Sequence, residues 1–299
     1  MKKIVLLLFW SLSLPAWACD ICGCGVGNAY YGIMPQSYRN FVGVRYRYRT
    51  YDSHLNSQLL RTKETFQTTE LWGRFYPTQR IQMLAFVPYN FNYQSDAATS
   101  SRLNGLGDIT VLANYNVFNT NMDTTDRAVN HTLLLGGGVK LATGRSNFVN
   151  DGSLGANANF QLGTGSTDFL LNAIYTLRYR SWGWNSDVSY RMTTTNAQHY
   201  RFGNRLSGST SVFYVTSAGK KLTLMPNAGI TAEYSSRDLK DGVRNSQTGG
   251  YATLATAGVE AYFGRFVAGA NIQPPLAQEL SGGDSRAKQR LQLHVTVLL

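Results

Sequence analysis

The stretch Ile81-Gln-Met-Leu-Ala-Phe-Val-Pro-Tyr-Asn-Phe-Asn-Tyr93 decides the fold. Ile81, Met83, Ala85, Val87, Tyr89, Phe91 and Tyr93 share one face of an extended chain, and Gln82, Asn90 and Asn92 lie opposite. A repeat of two is that of a β-strand, whose successive side chains point to opposite faces. The stretch is long enough to cross a bilayer as a tilted strand. Its apolar face ends in Tyr89, Phe91 and Tyr93, the residue types that collect where hydrocarbon meets water.

The same alternation runs from Tyr38 to Leu299. Val42, Val44, Tyr46 and Tyr48 oppose Gly43, Arg45, Arg47 and Arg49; Ile109, Val111, Ala113, Tyr115 and Val117 oppose Asp108, Thr110, Asn114 and Asn116. Leu133, Leu135, Val139 and Leu141 stand against Thr132, Gly136, Gly138 and Lys140, and Phe169, Leu171, Ala173 and Tyr175 against Asp168, Asn172, Thr176 and Arg178. Trp182, Trp184, Val188 and Tyr190 face away from Asn185, Asp187 and Arg191; the last segment sets Leu291, Leu293, Val295 and Val297 against Gln292, His294 and Thr296. No long stretch carries the 3.6-residue apolar period of an amphipathic helix. We expect an all-β fold: a transmembrane antiparallel β-barrel of about 12 strands, its first strand (Phe41–Thr50) closing against its last (Leu291–Leu299). Ile81, Val87, Val111, Tyr115, Leu171 and Val297 should face lipid.

The connections alternate in length. Short turns are expected at Pro77-Thr-Gln79, Arg180-Ser181, Ala218-Gly-Lys220 and Gly264-Arg265. Long polar loops are expected at Asp52–Glu64, Gln94–Asn104, Thr143–Thr167, Thr193–Asn204, Ser235–Gly250 and Pro275–Lys288. Asn119–Asn130 breaks the pattern, being long where a short turn is due. Pro88 and Pro226, which cannot donate to a ladder, are expected to mark bulges. A soluble sandwich or lipocalin-like barrel also alternates, but seldom with so many long strands ending in Tyr.

Gly105-Leu-Gly-Asp108, Val139-Lys-Leu-Ala-Thr-Gly144, Leu162-Gly-Thr-Gly-Ser-Thr-Asp168 and Tyr200-Arg-Phe-Gly203 resemble segments of the outer-membrane family named for a phenol meta-degradation pathway. The resemblance spans most of the chain. It implies a barrel channel for small, often hydrophobic, compounds. Ala142 stands where that family usually has Pro, and the family pattern does not include the cysteines.

The N-terminus divides the chain into three. Residues 1–18 read as a signal peptide: Lys2 and Lys3, an apolar core from Ile4 to Trp10, and Ala16-Trp-Ala18 as the cleavage site. Residues 19–36 form a cysteine-rich periplasmic or plug segment, and 37–299 the barrel. All three cysteines lie in Cys19-Asp-Ile-Cys22-Gly-Cys24, so no disulfide staples the barrel. Thiolates are soft ligands that select Cu(I), Zn(II) or iron–sulfur centres. Three of them suit trigonal Cu(I), tetrahedral zinc would need a fourth ligand, and Gly23 and Gly25 allow the segment to curl around an ion. A disulfide with one thiol left over, or lipidation of Cys19, are the alternatives.

The chain carries a net charge of +11, of which Lys2 and Lys3 supply two. Outside the cytoplasm an excess of this sign suits lipopolysaccharide or acidic solutes and not nucleic acid. Arg45, Arg47, Arg49, Arg74, Lys140, Arg178 and Arg191 are expected in the lumen, with the acidic Glu70, Asp108, Asp168, Asp187, Glu233 and Glu260. They would form either a salt-bridge network that fills the barrel or an anion-favouring constriction beside the Arg45/Arg47/Arg49 ladder. His294 also points to the lumen, and no Gly-x-Ser-x-Gly elbow is present, so no enzyme is expected. The function expected is an outer-membrane channel or transporter for a small solute in a Gram-negative cell, its N-terminus periplasmic and its thiols holding copper. The alternative is a non-transporting metal-binding or structural barrel with a plugged lumen.

Overall fold

A computed structural model describes residues 39–57, 61–96, 100–120, 128–146 and 158–299. They form a closed antiparallel barrel of twelve strands. In chain order these are β1 (Phe41–Ser53), β2 (Thr62–Thr78), β3 (Ile81–Ser95) and β4 in two segments (Ser100–Leu106 and Thr110–Asn119). Next come β5 (Val129–Lys140), β6 (Asp168–Tyr179), β7 (Trp182–Met192) and β8 (Arg205–Tyr214, continued by Thr216–Ala218). The last four are β9 (Leu222–Ser235), β10 (Gly250–Phe263), β11 (Phe266–Gln273 and Pro275–Leu280) and β12 (Ser285–Leu298).

Each strand pairs with its sequence neighbours. The ring closes where β1 meets β12, from Phe41 opposite Leu298 to Ser53 opposite Ser285. That is the expected closure, and it places Phe41 and Leu298 at one end of the barrel. Closure pairs the outermost ladders with each other, as a chain without water on its outer surface requires. The alternating faces also lie as read: Val44, Ile81, Tyr115, Leu171 and Val295 are exposed on the outside, whereas Arg45, Gln82, Asn114, Asp168 and Thr296 are buried within.

Two loop expectations need correction. Most of Gln94–Asn104 is strand, with β3 running to Ser95 and β4 starting at Ser100, and most of Pro275–Lys288 belongs to β11 and β12. The ladder hydrogen bonds continue past the apolar belt, where both strand faces are polar and hydrophobic alternation carries no signal. At the other end the turns are tight. Arg180, Gly219 and Gly264 take up positive φ there, in hairpin loops of two, three and two residues.

The prolines have a more exact role than bulges. The ladder between β2 and β3 keeps its register through Pro88, opposite Glu70. The interruption is in the strand on Pro88's other side: β4 breaks between Leu106 and Thr110, and the Gly107 N–H donates to the Pro88 carbonyl at 2.8 Å. Pro226 likewise sits beside the break in β8 at Val215. Each proline lacks an N–H where its neighbour presents no regular ladder acceptor.

Candidate functional site

The lumen has two zones. Toward the end where Phe41 and Leu298 lie, apolar side chains gather on the inner wall of β1–β6, β11 and β12, beside buried polar ones such as Arg74, Gln82, Asn114, Asp187 and Thr296. Phe41, Trp72, Leu84, Phe86, Leu112, Leu134, Ile174, Val267 and Leu298 form one buried cluster on the inner wall. The register builds it in cross-strand pairs: Phe41 faces Leu298, Trp72 faces Phe86, Leu84 faces Leu112 and Leu134 faces Ile174. Gly138 makes room, since a Cβ there would run into the Leu112 side chain, and Gly269 does the same for the His294 ring. Sequence reading missed this layer. Its signal was present as Leu84, Phe86, Leu112, Leu134 and Ile174 interrupting faces otherwise made of Gln, Asn, Thr and Gly.

Above it lies a charged zone. Arg45 and Glu70 are directly opposed on β1 and β2, and both are fully buried. Glu70 accepts from the Arg45 Nη2 and Nε, and its other oxygen accepts from the Arg47 Nη2 at 2.8 Å. The Arg45 guanidinium also lies over the Trp72 ring at 4.9 Å and over the Phe86 ring at 5.4 Å, so it caps the apolar layer. Arg47 keeps two buried donors, Nε and Nη1, without a protein partner among the described residues. Arg49 lies beside it, 7% exposed. Arg290 on β12 grips Glu233 on β9 through two bonds of 2.6 and 3.0 Å, and donates to the Tyr51 hydroxyl at 3.3 Å. Strands β10 and β11 separate those partners along the wall, so this ion pair crosses the lumen as a chord.

A third cluster ties a loop to the wall. Lys140 on β5 faces Asp168 on β6. Its ammonium contacts Asp108 at 2.7 Å, Asp168 at 3.2 Å, the Ser166 carbonyl at 2.9 Å and the Thr164 hydroxyl. Asp108 also accepts from the Gly144 and Thr164 N–H groups at 3.0 and 2.9 Å. Gly144 and Gly163 pack backbone to backbone beside it, with no space for a Cβ on either. Thus Gly105–Asp108, Val139–Gly144 and Leu162–Asp168, far apart in sequence, meet at one buried lysine. Thr143–Thr167 was expected as an outward polar loop, and its described residues 158–166 instead fold into the barrel. Asn90 and Asn92 donate to the Leu162 and Gln161 carbonyls at 3.1 and 3.2 Å, and Phe160 packs on Phe66 and Tyr51. The polar inner face of β3 supplies the donors that an inward backbone needs.

The remaining expected lumen residues are scattered. Arg74 is buried within the apolar layer, registered opposite Phe41 and Leu84, and donates to the Arg39 carbonyl at 3.1 and 3.0 Å. Arg178 is half-buried at a turn and bonds the Arg180 carbonyl at 3.0 Å. Asp187 accepts from the Ser209 hydroxyl, Glu260 accepts from the Tyr262 hydroxyl at 2.8 Å, and Arg191 faces Arg205 across β7 and β8. Cys19, Cys22 and Cys24 lie outside the described residues, as do residues 1–36 as a whole. Among the described residues no group of His, Cys, Asp and Glu is placed to hold a metal.

No protein-family model matches the chain, and no curated protein does. Solved structures do resemble it. The COG4313 outer membrane channel from Pseudomonas putida F1 superposes with a TM-score of 0.66 at 16% identity, over 92% of this chain and 100% of that one. The β domain of the Bordetella autotransporter BrkA superposes at 0.51 with 11% identity, over 87% and 100%. At such identities the likeness speaks to the fold, which is that of an outer-membrane β-barrel.

Proposed function

We propose that this chain is an outer-membrane channel that passes a small solute between the cell exterior and the periplasm. The observation that carries the reading is the stacking of a charged zone on an apolar layer inside one closed wall. Arg45, Arg47, Arg49 and Arg290 face the path, against Glu70 and Glu233. The surplus of buried guanidinium over carboxylate in this zone, with two Arg47 donors lacking a protein partner among the described residues, favours an anionic or strongly polar group on the solute, and the apolar side chains below would resist the passage of hydrated ions. The likeness to a solved outer membrane channel supports the same reading. In a planar bilayer the wild-type protein should give small events, and Leu112→Ser together with Phe86→Ala should enlarge them by dismantling the apolar layer. Silence from both proteins would reject a channel.

That silence would favour the second reading, a barrel whose lumen is filled by its own side chains. The Arg290–Glu233 chord and the burial of Arg45, Trp72 and Phe86 lean that way. Under either reading we place the protein in the Gram-negative outer membrane, among lipid and lipopolysaccharide, with the termini periplasmic. We further propose, from sequence alone, that Cys19, Cys22 and Cys24 hold one Cu(I) at the periplasmic mouth. The full-length mature protein should then bind Cu(I) under reducing conditions, and Cys22→Ser with Cys24→Ser should abolish it. Copper kept by that double variant, or none on the wild type, would remove the metal from the account.

A further inference from the structure

The outer face of the barrel carries a built feature that passage through the lumen does not use. On β2 the outward residues Thr65, Gln67 and Thr69 are polar and short. Their cross-strand neighbours are large: Thr69 faces Tyr46, Gln67 faces Tyr48 and Phe91, and Thr65 faces Tyr93. One strand further, Asn104 stands beside Phe91 and Arg102 beside Tyr93. The result is a trench of about 500 Å³ with a polar floor, aromatic sides and one arginine at its head.

Three observations say what fits it. First, the trench straddles a boundary. Val44, Leu71 and Val87 continue its line into the apolar belt, while Asp52 and Lys63 lie beyond its other end. A ligand spanning it is apolar at one end and polar at the other. Second, the floor offers donors. The Gln67 Oε1 accepts from the Tyr46 hydroxyl at 3.0 Å, and its amide N–H groups have no hydrogen-bond partner among the described residues. Third, Arg102 is exposed, lies 5.3 Å over the Tyr93 ring, and pairs with no carboxylate among the described residues. A guanidinium braced on a ring and open on its other edge is arranged for phosphate. Aromatic sides beside amide and hydroxyl groups suit the alternating apolar and polar faces of a sugar.

We propose that this trench binds the phosphorylated sugar headgroup of one glycolipid of the outer leaflet, its phosphate on Arg102, its sugar over Gln67 between Tyr46 and Phe91, and its acyl chains along Val44 and Leu71. The proposal rests on the outer-membrane placement above, with the loop end of the barrel outermost, and is independent of whether the lumen conducts. A bilayer phospholipid supplies the phosphate and the chains but no sugar for the aromatic sides.

The test is native mass spectrometry of the full-length protein released from detergent in the presence of diphosphoryl lipid A, dephosphorylated lipid A or phosphatidylglycerol. Wild-type protein should retain diphosphoryl lipid A in preference to the other two, and Arg102→Glu should weaken that retention by about tenfold, the scale of a lost charge-assisted contact. Arg244→Glu, an exposed arginine in a different loop hairpin, should leave it unchanged. If Arg102→Glu fails to fold, Arg102→Gln with Gln67→Leu takes its place with a smaller loss expected. Equal retention of phosphatidylglycerol, equal loss in the Arg244 variant, or no loss in either Arg102 variant would overturn the proposal. Failure here with conductance intact removes the lipid site alone; silence in the bilayer with lipid A retained removes the channel alone.

Discussion

Glu70 is the counter-charge for two guanidiniums in a place water barely reaches. Removing it leaves both uncompensated, a loss that typically costs about 3–5 kcal/mol for a buried pair. Glu70→Gln should therefore lower the temperature at which the barrel unfolds on a heat-shift gel. Where it folds, its reversal potential in a salt gradient should move toward anions; an unmoved potential would take Arg45 and Arg47 off the permeation path. Outside the wall, Asp238 sits in a loop where Tyr200 and Gly203 donate to it, each at 2.6 Å. Burial nevertheless raises this carboxyl above its ordinary range. A raised folded pKa means the proton is held more tightly in the fold, so its stabilisation is complete at low pH and lost as pH climbs through the shifted value. Protease cleavage within Ser235–Gly250 should accelerate over that rise, and Asp238→Asn should flatten the profile. The sequence displayed Arg45, Arg47 and Arg49 because they fall at every second position of one strand. Arg290 went unnamed although it shares the parity of Gln292, His294 and Thr296, because it lies one residue before the alternating segment Leu291–Val297 that announced β12.

At the scale of elements, the tethered segment 158–166 is where reading by composition failed. Its Gly, Ser and Thr say loop, and only Phe160 and Leu162 hint that it has an inside. What holds it is Lys140, with Asp108 and Asp168 as partners. Lys140→Met keeps the volume and removes the charge, leaving two buried carboxylates to repel each other. The segment should then come away from β3, seen as faster proteolysis between Thr143 and Thr167 and, in a bilayer, larger or noisier events. Unchanged proteolysis would mean that Asn90, Asn92 and the Phe160–Phe66 contact suffice. Strand extents were misread for a related reason. Beyond the lipid boundary both faces of a strand are wetted, and the pairing of β3 with β4 up to Ser95 and Ser100 rests on backbone bonds that leave no mark on side-chain choice.

For the molecule as a whole, the ring was legible because lipid outside and mainly polar groups inside impose an alternation along the strands, broken where the inner apolar cluster lies. A sliding register would carry a charged face into lipid, at about 2–4 kcal/mol for a charge at the midplane. Closure can be checked directly. Val42 and Val297 are registered partners on β1 and β12. With the native cysteines replaced by serine, Val42→Cys paired with Val297→Cys should form an intramolecular disulfide that prevents the heat-induced shift of the barrel. Val42→Cys with Leu293→Cys, offset along the same ladder, should not. Cross-linking of the offset pair would mean that the seam slides.

Where the inner apolar layer passes behind the outer belt, a strand is apolar on both sides. Met83-Leu-Ala-Phe-Val87 and Leu133-Leu-Leu135 are such runs. In the barrel their inward members join the buried apolar cluster of the inner wall. In the unfolded chain in water they are its stickiest parts, short uncharged segments of the kind that pair with copies of themselves. If the chain is exported as proposed, these runs would need covering until the ring has closed. Substitutions that loosen the layer would leave the unfolded chain less prone to self-association and, if the barrel conducts as proposed, the pore leakier, because both traits are written in the same side chains.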